Sequence, residues 1–162
     1  VHTHPIYLNV ILCSKEAEVI IEELFGNLDY EFVLYSTPGV DLSNAIASYR
    51  QCEIYFLENH GLVVCSDDLV DAYSMSKYIN EESRKWLEKN RRDFLWQILQ
   101  EPMSCPEFLF PDAVALSEDN TTTNGYIYKG MVDIGLTPKF LNDEEVEKIK
   151  NMESEKYRSS LV

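Results

Sequence analysis

Glu53-Ile54-Tyr55-Phe56-Leu57, Glu58-Asn59-His60-Gly61 and Leu62-Val63-Val64-Cys65 follow one another without a gap. Two short apolar runs, rich in β-branched and aromatic residues, flank four polar or small ones. That is the pattern of two strands joined by a tight turn. The turn carries a histidine, and Gly61 is expected to serve it through a positive φ, which is cheap for glycine.

Downstream, Ser66-Asp67-Asp68 offers caps for a long helix, expected over 69–99. Its apolar positions Leu69, Ala72, Met75 and Ile79, then Trp86, Phe94 and Ile98, fit a 3.6-residue period. Upstream, Tyr30 to Tyr35 reads as extended and Ser36-Thr37-Pro38-Gly39 as a turn. Asp41 is expected to cap a short helix over 42–50. Pro5 to Phe25 reads as helical, broken at Ser14-Lys15-Glu16 and ended by Gly26-Asn27. Beyond Pro102 the pattern changes. Pro102, Pro106 and Pro111 interrupt it, Ala113–Leu116 and Tyr126–Tyr128 are strand candidates, and Asn142 opens a last helix reaching about Arg158.

The chain has 162 residues, 45% hydrophobic and 26% charged, an ordinary globular mixture that excludes a disordered chain or a fibrous rod. The richest apolar run, Ile6 to Cys13, contains Asn9 and is far short of the ~20 residues that cross a bilayer, so no membrane partner is expected. Lys plus Arg number 14 against 28 Asp plus Glu, a net charge of −14 that opposes a nucleic-acid partner. The opening Val1-His2-Thr3-His4-Pro5 shows no basic signal-peptide region and no initiator Met, so a piece of a longer polypeptide is expected. Cys13, Cys52, Cys65 and Cys105 form no CxxC pair and are expected as free thiols of a cytoplasmic protein. Cys13 and Cys65, in apolar stretches, are expected in the core.

The chemistry sits in three histidines. If His2-Thr3-His4 is extended, His2 and His4 point to the same side. His60, on a fixed turn, can deliver a third nitrogen. Three neutral imidazoles with an open fourth position suit a catalytic zinc site better than a closed structural one. The spacing alone leaves other readings open: an HxH pair arises by chance, and a histidine before glycine often only caps a turn. Glu58 or Asn59 is a candidate to orient an imidazole.

The order His2-Thr3-His4-Pro5, Thr37-Pro38-Gly39, a short helix, Leu57-Glu58-Asn59-His60-Gly61-Leu62, a strand and a long helix resembles the class II aldolase/adducin family. The resemblance covers about Val1 to Leu87, and more loosely Phe108-Leu109-Phe110-Pro111-Asp112. It implies an α/β (α+β) fold, a three-layer α/β/α arrangement around a mainly antiparallel sheet. Residues 1–100 are then expected to be the C-terminal portion of the family domain, with a preceding segment of the same polypeptide as partner. Residues 101–162 are expected as an extension packed on the same domain. The resemblance further implies one zinc ion per subunit on His2, His4 and His60, a homotetramer, and retro-aldol cleavage of a small phosphorylated ketose through a metal-stabilised enediolate. An acid/base residue about twenty positions beyond the HxH pair, often supplied by a neighbouring subunit, falls on Glu22 or Glu23. Tyr126 and Tyr128 are further proton-donor candidates, read first as ordinary strand residues. A sugar-phosphate epimerase or dehydratase on the same scaffold is an alternative reading. So is a non-catalytic, adducin-like interaction module.

Overall fold

Helix α1 (Ile6–Leu12) is the hub of the molecule, and its sequence shows why. Five consecutive residues, Leu8 to Leu12, are buried, so the helix is covered on all sides. The structure, a computed structural model, describes residues 1–90, 102–115 and 123–153. Leu8, Ile11 and Leu12 are fully buried, each contributing roughly 1.5–3 kcal/mol of hydrophobic stabilisation. Ser14-Lys15-Glu16 breaks the helix as expected, and α2 (Ala17–Phe25) follows.

Strand β2 (Tyr30–Val33) leads through the turn at Pro38-Gly39 to α3 (Val40–Ser48). That helix starts two residues earlier than expected. Gly39, at φ 94°, forms its N-cap, and Asp41 sits instead in the first turn. Strands β3 (Ile54–Leu57) and β4 (Gly61–Val64) bracket the Glu58-Asn59-His60 turn, and β1 is His2–Thr3. The four-stranded sheet has the order β1-β4-β3-β2, with β1–β4 and β3–β4 antiparallel and β2–β3 parallel. Alternation along β3 divides the core. Ile54 and Phe56 join the large cluster with α1, α2 and α4, while Tyr55 and Leu57 join a smaller one covered by Leu42, Ala45 and Ile46 of α3.

Helix α4 (Leu69–Lys89) buries Ala72, Ser76, Ile79, Ser83 and Leu87 along one stripe. It ends in Asn90, and the rest of the expected helix, 91–99, lies outside the described residues. Asp68 caps its start, accepting from the N–H groups of Val70 at 2.6 Å and Asp71 at 3.2 Å. Asp68→Ala is expected to cost about 1 kcal/mol. In a chain of this size that lowers the melting temperature by about 2–4 °C in a circular-dichroism melt.

The later segments correct two expectations. Ala113–Leu116 is not a strand: residues 111–115 form the short helix α5 (Pro111–Ala115), and Leu116 lies outside the described residues. Tyr126–Tyr128 lies inside helix α6 (Thr123–Ile134). Its Tyr-Ile-Tyr composition suits a strand, but the helical spacing of Ile127 and Met131 sends both into the main core beside α1. Helix α7 (Asp143–Asn151) starts as expected at Asn142, whose side chain accepts from Glu145 N–H at 2.9 Å. It ends earlier than expected, at Asn151, where Met152 turns extended at φ −65° and ψ 130°, and 154–158 lies outside the described residues. Cys13 is buried as expected, and burial raises its thiol pKa well above the ordinary range. Cys65 is exposed rather than a core residue, because it follows β4 at the sheet's end. No described helix is long and apolar enough to cross a membrane.

Candidate metal centre

Strand β1 pairs with β4 so that His2 lies opposite Val63 and Thr3 opposite Leu62. The alternation places His2 and His4 on one side and turns Thr3 to the other. There its hydroxyl meets the Ser76 hydroxyl of α4 at 2.9 Å. The short strand is thereby fixed from behind. His60 comes from the β3–β4 turn, where its own N–H donates to the Leu57 carbonyl at 3.1 Å. The three expected histidines do converge. Their ring centroids are 4.7, 5.0 and 5.1 Å apart, and one ring nitrogen from each lies within 4.8 Å of the others.

The hydrogen bonds around the rings define which nitrogens are free. His2 Nδ1 lies 2.9 Å from the Leu62 carbonyl, an acceptor, so it carries the proton. His4 Nδ1 lies 2.7 Å from an Asp112 carboxylate oxygen and carries a proton for the same reason. In the neutral rings both Nε2 atoms then present lone pairs, and they face each other at 3.0 Å. Two lone pairs at that distance repel unless a proton or a cation lies between them. Zinc–nitrogen bonds of about 2.0–2.1 Å in a tetrahedral site put neighbouring nitrogens about 3.3–3.4 Å apart. The donor set and the spacing fit a divalent transition metal after small adjustments. His60 adds a second mark: its buried Nδ1 has no hydrogen-bond partner. Burial, with His4 and His2 adding repulsion, pushes the His60 pKa down to about 3. Burial likewise lowers that of His2, against the Leu62 carbonyl, which favours the protonated ring. Rings kept neutral in this way are ready to ligate.

Glu58 and Asn59 do not orient an imidazole. The Glu58 carboxylate takes the Lys139 ammonium at 2.6 Å and the Tyr35 N–H at 3.0 Å. The Asn59 amide donates to the Leu109 and Lys139 carbonyls at 2.7 and 2.6 Å. Both residues pin the turn to the later segments instead. Gly61 also has another reason than expected. The positive φ of the turn belongs to Asn59, at 52°, one of the few residue types that accept it readily. Gly61 is needed for space: a Cβ there would lie 2.4 Å from the Thr3 carbonyl oxygen and 2.8 Å from His4 Cδ2.

Glu22 and Glu23 lie on α2, where Glu22 accepts from the Tyr30 hydroxyl at 2.5 Å and Glu23 from the Trp86 indole at 3.3 Å. These partners belong to β2 and α4, so the described hydrogen bonds of the two carboxylates do not involve the histidines. Tyr128 packs against Phe140, with centroids 6.1 Å apart, as an ordinary core-facing ring of α6. Sequence reasoning missed two residues at the site. Asp112 reaches His4 from α5, and the Asn9 amide of α1 donates to the His60 carbonyl at 3.1 Å.

The profile of the class II aldolase and adducin N-terminal domain matches residues 1–87, more than half of the 162-residue chain. The chain belongs to the class II aldolase and adducin family. The family match runs from β1 through most of α4 and contains His2, His4 and His60. It corrects the expectation that the chain carries only a C-terminal portion: the match is to the family's N-terminal domain and occupies the N-terminal part of this chain. Asp112 lies beyond the family match. The chain is also 30% identical over 90 residues to the "Uncharacterized oxidoreductase YuxG" of Bacillus subtilis (strain 168). That alignment covers 53% of this chain and 13% of the relative, so the chain spans only a small part of that protein's length. No solved structure matches.

Proposed function

We propose that this family member is a zinc-dependent, class II aldolase-like lyase acting on a small phosphorylated ketose. The carrying observation is the convergence of His2, His4 and His60, with the Nδ1 sides of His2 and His4 already occupied. A zinc ion held by these three nitrogens would supply Lewis acidity, worth several kcal/mol where negative charge develops on substrate oxygens. The chain's own part is to hold the ligands. The Leu62 carbonyl fixes the His2 ring, and the Asn9 amide holds the backbone that carries His60. Fixed ligand rings lower the reorganisation that charge development would otherwise demand.

The reading includes a homotetramer, in which Glu22 or Glu23 serves as the acid/base of a neighbouring subunit's site. In their own chain the two carboxylates accept from Tyr30 and Trp86. Residues 101–162 form an extension of the same domain in this reading, and the packing of α1, α2 and α4 with one set of β3 side chains and of α3 with the other supports a three-layer arrangement.

Two measurements on purified protein test the proposal. Elemental analysis is expected to find about one zinc per chain, and ketose 1-phosphates are expected to release aldehyde. An epimer or a dehydrated sugar in place of aldehyde would replace the lyase by a related reaction on the same centre. No metal uptake, even with zinc supplied, would leave an adducin-like binding module.

A further inference from the structure

We infer that Asp112, supplied from outside the family-matched residues, is a positioning residue of the metal centre that fixes His4 for ligation. The inference rests on the proposed zinc site and adds to it the means by which the second half of the chain takes part.

The geometry has three independent supports. The Asp112 carboxylate lies 2.7 Å from His4 Nδ1, and both side chains are sheltered, 24% and 30% exposed. An acceptor there makes Nδ1 the protonated nitrogen of the neutral ring, which leaves the Nε2 lone pair facing His2 and His60. The helix that carries Asp112 is itself anchored. Leu109 and Phe110 are buried in the main core, and Val114 in a satellite cluster with Leu141 and Ile149. The Leu109 carbonyl accepts from Asn59, the residue before His60. One stretch, 109–112, therefore grips the metal centre at two points: the His60 turn through the Leu109 carbonyl, which accepts from the Asn59 side chain, and the His4 ring through the Asp112 carboxylate. A surface carboxylate pairing with a histidine by chance would not share its anchorage with a second ligand.

A carboxylate behind a ligating imidazole fixes the ring and raises its basicity, and its loss typically weakens metal binding by about 10–100-fold. The test uses the full chain with Asp112→Asn and Asp112→Ala, titrated with zinc against a chromophoric chelator. Affinity is expected to fall in the order wild type, Asn, Ala, since Asn retains a neutral acceptor and Ala none. The second readout is the His4 Nδ1 proton in the zinc-loaded, isotope-labelled protein. In wild type it is expected well downfield and protected from exchange. In Asp112→Asn it is expected to move upfield, which a merely structural role would not cause. Equal zinc affinity in all three proteins, or a wild-type His4 proton with no downfield displacement, overturns the inference while leaving the zinc site standing. If neither variant folds, the wild-type resonance decides by itself. Failure of wild type to take up zinc is the separate result that overturns the metal reading and the role of Asp112 together.

Discussion

His60→Ala should empty the metal centre and leave the metal-free fold standing. The expected zinc content falls from about one per chain toward zero, measured by elemental analysis after dialysis against a mild chelator. The two remaining histidines, one on the two-residue strand β1 and one just after it, cannot make the three-ligand set that a catalytic zinc site uses. Losing the Lewis acid forfeits several kcal/mol of transition-state stabilisation, so aldehyde release should drop by at least about 10³-fold. The stability result is the more discriminating one. In the metal-free protein His60 is an awkward residue: it is 7% exposed, its Nδ1 has no partner, and its pKa is held down by burial and by two neighbouring rings. Removing an unsatisfied buried polar group recovers about 1–3 kcal/mol, which offsets much of the loss from the small cavity left behind. Metal-free wild type and variant should therefore melt within a few degrees of each other. Only wild type should gain when zinc is added, by about 4 kcal/mol at a thousandfold excess over Kd. A variant that retains zinc at wild-type affinity would show that the three-histidine site is misassigned. One that unfolds without metal would show that His60 is a core residue first.

The contrast between His60 and Asp112 shows what a sequence can disclose. His2-Thr3-His4 is legible because a strand's two-residue period fixes where neighbouring side chains point. His60 is legible because a turn between two apolar runs has few places to go. The same local rules recover α1, α2, β2, β3, β4 and the Asp68 cap. They fail where the deciding contacts are remote. Tyr126-Ile127-Tyr128 has strand composition, but the main core accepts Ile127 and Met131 from one helical face. Ala113 and Val114 read the same way and fold into α5, with Val114 covered by Leu141 and Ile149. Asp112 is 108 positions from the histidine it holds, and nothing within a few residues of either predicts the meeting. Glu58 and Asn59 directly precede His60 in sequence, which suggests that they orient it. Adjacent residues on a tight turn point away from each other, and both are used to bind the turn to segments near Leu109 and Lys139. Ligands here are local features of a strand and a turn, whereas the groups that orient them come from other elements.

Gly61→Ala is the second substitution with a large expected effect, and it should damage fold and metal site together. The added Cβ would meet the Thr3 carbonyl oxygen at 2.4 Å and His4 Cδ2 at 2.8 Å, both too close to persist. A backbone oxygen cannot rotate aside, so β1 must move away from β4. That movement loosens the pairing of Thr3 with Leu62, the bond from His2 Nδ1 to the Leu62 carbonyl and the contact of His4 with Asp112. The cost should reach about 3 kcal/mol, the upper part of the usual range for overpacking. The melting temperature should fall by about 6–12 °C for a chain of this length. Zinc affinity should fall with it, because His2 lies on the displaced strand and His4 directly follows it. Native-state hydrogen exchange locates the damage: the Val64 N–H, which donates to the Val1 carbonyl at 2.8 Å, should lose protection before the α1 core does. Gly61→Asn separates this account from the one based on backbone conformation. Asparagine tolerates a positive φ, so a glycine kept for its φ would accept the change at little cost. A glycine kept for space would not, since asparagine brings the same Cβ and more. Gly61→Asn should therefore be at least as unstable as Gly61→Ala, and a stable, zinc-binding Gly61→Asn would show that β1 is not seated against the turn.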